Sequence, residues 1–280
     1  YKCRILFALL SHHLHLHFHD YYIYYTLKDC FTDNIKRRIP MTDTILFDLD
    51  GTLLPLDMEK FTKIYFYEMG CMFRDMIDPQ LLAKYIWTAT LEMVGNTEYK
   101  TNEEVFMDRF SKLIDGDINR YKERFDSFYD TLFLKTKEAA ERQSLIIESI
   151  SILKKKNYKL VVATNPLFPR KAIHHRIEWA GLDLKDFEYI TSYEDNHFCK
   201  PQPEFYKEVL DIIGKRPEQC LMVGNDVQED LIALKLGIKT FLIKDNMIHR
   251  TEEAFISTYE GNYEDFYSFV KELPDVSRSS

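Results

Sequence analysis

The sequence predicts an α/β fold of the doubly wound kind, a parallel sheet with helices on both faces, into which a small all-helical unit is inserted. Three observations predict it. Short apolar runs alternate with helix-like segments from about Glu138 onward, a β-α-β-α rhythm that calls for parallel strands joined by crossover helices. A first apolar run, Ile45-Leu46-Phe47, stands apart from the others and ends in Asp48-Leu49-Asp50-Gly51-Thr52. Between them, about Met58 to Asp130, lies a stretch with helical periodicity, few breakers and dense aromatics.

Taken in order, Ile45-Leu46-Phe47 reads as a buried strand entering a turn at Gly51. Fifteen Phe, Tyr and Trp fall between Phe61 and Phe133, and they read as the packing of a small helical core rather than a stacking platform for bases. Glu138 to Asn157 is expected as one long helix, with Leu145, Ile146, Ile150 and Leu153 at helical spacing. Leu160 to Ala163 follows as a buried strand, then Arg170 to Ala180 as a helix ended by Gly181. Phe187 to Thr191 is expected as a strand, Pro203 to Ile213 as a helix closed by Gly214, and Cys220 to Val223 as a strand. Gln228 to Leu236 reads as a helix ended by Gly237, and Thr240 to Ile243 as a strand. No internal repeat and no low-complexity linker interrupts the pattern.

Composition narrows the function. The chain of 280 residues has a net charge of −8, with 45% hydrophobic and 29% charged residues, ordinary values for a globular protein. Residues 1–40 carry six Lys/Arg against three Asp/Glu, so the remainder is more acidic still. An acidic surface does not displace counterions from nucleic acid, which argues against that partner. No apolar run approaches the ~20 residues that cross a bilayer, so no membrane is expected. The five cysteines, Cys3, Cys30, Cys71, Cys199 and Cys220, are odd in number and contain no CxxC pair; reduced thiols and a cytoplasmic location are expected. Oligomeric state is not legible.

Residues 1–40 read as an extension outside the domain, with Met41 as a natural start. They lack an initiating Met and hold His12, His13, His15, His17 and His19. Their apolar segment, Ile5 to Leu10, is too short for a secretory signal. The alternation His13 to His19 could line up imidazoles for a metal on one strand face, but the plain reading is leader sequence.

Ligands on open α/β sheets bind at the carboxyl ends of the strands. Four polar clusters sit there: Asp48-Leu49-Asp50-Gly51-Thr52, Thr164-Asn165, Lys200-Pro201, and Gly224-Asn225-Asp226 with Asp230. Singly each reads as a turn, a cap or an exposed lysine. Together, in this order, they resemble the haloacid dehalogenase-like hydrolase superfamily over about Thr44 to Asp245. The resemblance implies a Rossmann-like core formed by residues 41–57 and 136–280, with residues 58–135 as a helical cap domain of the C1 type.

It also implies a chemistry: a magnesium-dependent phosphatase acting on a small phosphorylated metabolite through an aspartyl phosphate. Asp48 would be the nucleophile and Asp50 the general acid and base. Lys200 would neutralise the phosphoryl oxygens, and Thr164 and the backbone at Asn165 would bind them. Mg²⁺ would take the Asp48 side chain, the Asp50 main-chain carbonyl and an oxygen of the fourth cluster. There the chain departs from the usual Gly-Asp pattern; either Asn225 or Asp226 fills the position, and Asp226 is expected because a charged oxygen binds Mg²⁺ better. Asp230 would then support Lys200 or a metal-bound water. A sugar phosphomutase on the same scaffold uses the same aspartates and is the first alternative; a non-catalytic binding module is the second. A dehalogenase is disfavoured because it has no need of a proton donor at Asp50.

Overall fold

The computed structural model describes residues 42–276, so the expectations for the N-terminal extension lie outside the described residues. The chain enters the sheet at β1 (Thr44–Phe47), whose four residues are all buried. Such a strand needs apolar side chains towards both faces, which is why it reads as a continuous apolar run rather than an alternation. Five further strands join it: β2 (Lys159–Val162), β3 (Tyr189–Ile190), β4 (Cys220–Gly224), β5 (Lys239–Ile243) and β6 (Tyr259–Gly261). They lie in the order β3-β2-β1-β4-β5-β6, every neighbouring pair parallel. Leu46 is opposite Val161 on one side and Met222 on the other.

The period of two along each strand assigns the faces. Ile45, Phe47, Leu160, Val162, Leu221 and Val223 pack with the helices α5 (Ser144–Lys155), α6 (Arg170–Trp179) and α8 (Tyr263–Glu272). Leu46, Val161 and Met222 pack with Phe205, Tyr206, Val209 and Leu210 of α7 (Pro203–Ile213). This is the two-faced Rossmann-like architecture that the sequence predicts.

The inserted helices are α1 (Met58–Phe73), α2 (Pro79–Val94), α3 (Asn102–Ser111) and α4 (Ile118–Asp130), followed by a 3₁₀ segment, Leu132–Ala139. Their starts follow from capping chemistry. Asp57 accepts a bond from Lys60 N, Asp78 precedes Pro79, and Thr101 with Glu104 forms a reciprocal capping box. Many of the aromatics do pack as expected: the Phe73 ring lies 4.8 Å from that of Phe125, and Phe110, Phe128 and Phe133 are fully buried. This helical cap is tied to the core by two extended segments, with Leu56 bridged to Ala140 and Asp57 N bonded to Ala139 O.

Two expectations change. The helix expected over Glu138–Asn157 begins only at Ser144, because Ala139–Glu141 is drawn into that extended tie. The helix expected from Gln228 is a 3₁₀ segment confined to Leu231–Leu236. The Asp226 side chain takes the amides of Gln228 and Glu229 and so holds that stretch as a loop. Beyond an irregular segment after Ile243, β6 adds a sixth strand to the sheet and α8 follows it. Among the described residues no helix is long and apolar enough to cross a membrane.

Candidate active site

The carboxyl ends of β1, β2 and β4 face one region, and the first of them delivers two acids. Asp48 continues β1, its N–H bonded to Val223 O at 2.9 Å. The chain then doubles back: Gly51 N bonds Leu54 O at 2.7 Å, and Leu54 N bonds Leu49 O at 2.9 Å. Gly51 has φ +87°, and a Cβ there would stand 2.3 Å from Asn225 Nδ2, so the turn admits glycine on both grounds. Tyr263 Oη donates to Gly51 O at 2.9 Å and steadies the same turn from α8. Nothing in the local sequence around Tyr263 signals that role.

Lys200 reaches this turn from the loop before α7. Its side chain is 0% exposed, and Nζ donates to Asp48 Oδ1 at 3.0 Å and to Asp230 Oδ1 at 2.6 Å. Burial works against its charge, yet the two carboxylates hold its pKa well above the ordinary lysine value. Burial also pushes the Asp48 carboxyl up to about 6, against the pull of Lys200 and with a further push from Asp50. Asp230 is raised by burial to about 7, again opposed by Lys200. Each acid is therefore short of compensating charge in this arrangement.

Asn165 braces Lys200 rather than the open site. Its Nδ2 donates to Lys200 O at 3.2 Å and its Oδ1 accepts from Lys200 N at 3.2 Å, which fixes the main chain that carries the amine. The same amide donates to Glu229 Oε2 at 3.0 Å. Thr164 is buried just beyond β2, next to Ala163, whose N–H bonds Phe47 O.

The fourth cluster divides into two. Asn225 turns its side chain onto the nucleophile turn, with Oδ1 accepting from Thr52 Oγ1 at 3.0 Å and Nδ2 donating to Asn246 O at 2.6 Å. Asp226 points its carboxylate to Arg250, whose NH1 lies 2.8 Å from Oδ1 and NH2 2.7 Å from Oδ2. Asp230 Oδ2 accepts from Asp226 N at 2.9 Å while its other oxygen holds Lys200. Of the two candidates for the fourth-cluster ligand, Asn225 is the one whose side chain contacts the nucleophile turn, while the Asp226 carboxylate is paired with Arg250.

Two residues near the carboxylates escape a reading of the sequence. Glu229 is raised above its ordinary pKa by burial, opposed by Lys200 and reinforced by Asp226 and Asp230. Arg176, on α6, is 1% exposed and forms an ion pair with Asp50 Oδ2 through NH1. Its guanidinium lies 4.6 Å from the Phe168 ring centre, and its Nε donates to Ala172 O at 3.2 Å. The other Asp50 oxygen, Oδ1, is buried without a partner. Burial raises the Asp50 pKa, and Arg176 opposes the rise.

Asp48, Asp50, Asp226, Glu229 and Asp230 face only Lys200, Arg176 and Arg250 in this network. With all of them ionised, two negative charges remain, which is the charge that one divalent cation cancels. That surplus of negative charge and the hard oxygen donors around the turn are consistent with such an ion.

A family model described as haloacid dehalogenase-like hydrolase matches residues 42–237. The chain is 23% identical over 239 residues to the pyrophosphatase PpaX of Bacillus cereus strain AH820, covering 85% of this chain and 99% of the relative. The same identity and coverage hold for PpaX of Bacillus anthracis strain CDC 684. A HAD phosphatase from Thermococcus onnurineus superposes with a TM-score of 0.54 at 18% identity, over 84% of this chain and all of that one. An L-2-haloacid dehalogenase from Xanthobacter autotrophicus, with chloropropionic acid covalently bound, gives 0.51 at 14%, over 83% and all of that chain. At such identities the structural likeness concerns the fold alone.

Proposed function

Because the chain belongs to the haloacid dehalogenase-like hydrolases, we propose that it is a magnesium-dependent phosphatase in which Asp48 is the nucleophile. The observation that carries this reading is the buried contact of Lys200 with both Asp48 and Asp230 at the strand ends, two residues from a second acid. A phosphate ester repels an anionic nucleophile, so the nucleophile has to be paired with fixed positive charge.

Asp48 forms a bond to phosphorus as the ester P–O bond breaks, and the departing alkoxide takes a proton from Asp50. Water then attacks the aspartyl phosphate, Asp50 accepts its proton, and phosphate leaves with Asp48 restored. Lys200 offsets charge on the phosphoryl oxygens, and the Thr164 hydroxyl and the Asn165 main-chain N–H donate to them. The unpartnered Asp50 oxygen suits a proton carrier for an oxygen leaving group, which favours phosphate esters over haloacids. Mg²⁺, when bound, would add positive charge at the phosphoryl group. Its oxygens would be the Asp48 carboxylate, the Asp50 carbonyl and one from the fourth cluster. Residues 58–135 act in this reading as a cap domain over the core of residues 41–57 and 136–280.

Phosphate release from a panel that includes inorganic pyrophosphate, phosphoglycolate and sugar phosphates, with and without Mg²⁺, tests the proposal. Release that depends on Mg²⁺ is expected; transfer within the substrate with no free phosphate would instead favour a phosphomutase.

The position of Asn225 on the turn leads to a sharper expectation about the metal. Asn225→Ala should raise the Mg²⁺ concentration for half-maximal activity by about 10- to 100-fold, and Asp226→Asn by less. A magnesium titration of both variants decides it, and the reverse ranking would return the ligand role to Asp226.

Arg176 acts in this reading as a positioning residue that holds Asp50 by one oxygen and leaves the other to the substrate. General acid catalysis contributes about 10²- to 10⁴-fold and matters least for good leaving groups. Arg176→Met is therefore expected to slow alkyl phosphates by at least about 10²-fold while sparing 2,4-dinitrophenyl phosphate, and Arg176→Lys should restore part of the loss. An equal loss on both esters would mean that Arg176 is structural only.

A further inference from the structure

Not all of the aromatic side chains of the inserted helices are spent on packing. Some line a cavity of about 460 Å³ between those helices and the core loops at Leu167–Pro169 and Tyr193–Glu194. That volume lies in the range of small-molecule sites. Its walls include Phe61, Tyr65, Phe106, Phe125 and Phe168. The polar edge of Tyr65 asks little of a ligand, since its hydroxyl and that of Tyr129 bond each other at 2.9 Å.

Charged groups stand at the margin. Lys122 and Asp126 are exposed, and Lys171 is paired with both Asp126 and Asp130. Of the two half-buried acids in the lining, Glu194 accepts from Arg170 N, while Glu103 stands at the wall. At the same margin Trp87 leaves 60% of its surface in water, an exposure that packing does not explain. A sugar would bring several hydroxyl groups to walls that are mainly aromatic and aliphatic, and each hydroxyl left unpaired there loses its bonds to water. An apolar ring would lose nothing of that kind.

The catalytic carboxylates do not line the cavity, but one layer separates them from it. Phe61 and Phe168, both in its wall, carry the Arg176 guanidinium at 6.0 and 4.6 Å, and Arg176 grips Asp50. A ligand seated in the cavity therefore meets Phe61 and Phe168, the rings against which that arginine packs.

We infer that this cavity receives the alcohol part of the substrate, and that the preferred substrates are phosphate monoesters of apolar, ring-bearing alcohols rather than sugar phosphates. The inference rests on the phosphatase reading above and adds the substrate class to it. The linker from ring to ester oxygen has to carry the phosphoryl end beyond the Phe61 and Phe168 layer to reach Asp48.

The test compares 2-phenylethyl phosphate and 2-(1-naphthyl)ethyl phosphate with glucose 6-phosphate and glycerol 1-phosphate. All four are primary alkyl esters, which limits differences in leaving-group acidity. Burying an aromatic ring should favour the first pair by about 10- to 100-fold in kcat/KM. Thr90→Phe, which fills part of the cavity from α2, should lower that ratio towards one. Thr62→Trp, at an exposed rim position, does the same should the first variant fold poorly. Binding of 2-phenylethylphosphonate by calorimetry, weakened in the same variants, supplies a readout independent of turnover. Hydrolysis of all four esters with no preference for the aromatic pair overturns the substrate class and leaves the phosphatase reading intact. Aromatic preference unchanged in both cavity variants overturns the assignment of the cavity. Release from none of them overturns this inference, and the phosphatase reading falls with it only if pyrophosphate and phosphoglycolate release no phosphate either.

Discussion

Asp48→Asn is expected to lower phosphate release by about 10⁴- to 10⁶-fold, the scale seen when a covalent nucleophile is removed. The substitution keeps the shape of the side chain, and Lys200 Nζ, 3.0 Å from Oδ1, can still donate to an amide oxygen. What it removes is the electron pair that forms the bond to phosphorus. The fold should not suffer, because burial already drives this carboxyl up to about 6 and makes its charge unfavourable near neutral pH. A neutral amide relieves that strain on the native state. Thermal melting without metal should therefore give a midpoint equal to or above that of the parent at pH 7.5, while single-turnover release all but vanishes. Retention of more than about 1% of turnover, with the midpoint unchanged, would take the nucleophile role from Asp48.

The sheet could be read from the sequence because its strands are short apolar runs punctuated by glycines and prolines, and Gly181, Gly214 and Gly237 follow their helices at positive φ. The acids and the lysine could be read because a strand end, a turn and an acid pair lie within a few residues of one another. What could not be read is what the fold alone brings together. Ala172, Ile173, Trp179 and Ala180, at helical spacing around it, place Arg176 on the apolar face of its helix, but nothing in the sequence names its partner, Asp50, 126 positions earlier. β6 has three residues, two of them exposed, so neither alternation nor an apolar run announces it. Asn225 and Asp226 are adjacent in sequence and face different partners, a distinction that residue chemistry alone did not draw. The aromatics of the inserted helices have one composition but two uses, core and cavity, and spacing does not separate them.

Lys200→Met should be the most destabilising single change in the site. In the native protein the lysine is wholly enclosed, bonded to Asp48 and Asp230 and flanked by the rings of Phe205 and Tyr206 at 5.6 and 5.9 Å. Methionine fills most of that space but leaves two buried carboxyls without their cation, and breaking a buried pair in this way costs about 3–5 kcal/mol. For a domain of this size that is a fall of roughly 6–20 °C in melting midpoint. The loss must depend on pH. In the metal-free parent, Asp48 and Asp230 have native pKa values of about 6 and 7, above the ordinary 3.8. Between about pH 4 and 7 the native state therefore holds protons that the unfolded chain has released, and stability falls as pH rises through that window. Without Lys200 both values move higher, so the fall continues above pH 7 and the gap between variant and parent is widest there. Below about pH 5 the variant carries two neutral carboxyls, whereas the parent keeps a buried ammonium beside acids that are losing their charge. The gap should then close. Melting of both proteins in chelator from pH 5 to 8 measures it directly, and a gap that stays constant across that range would show that Lys200 serves packing rather than charge compensation.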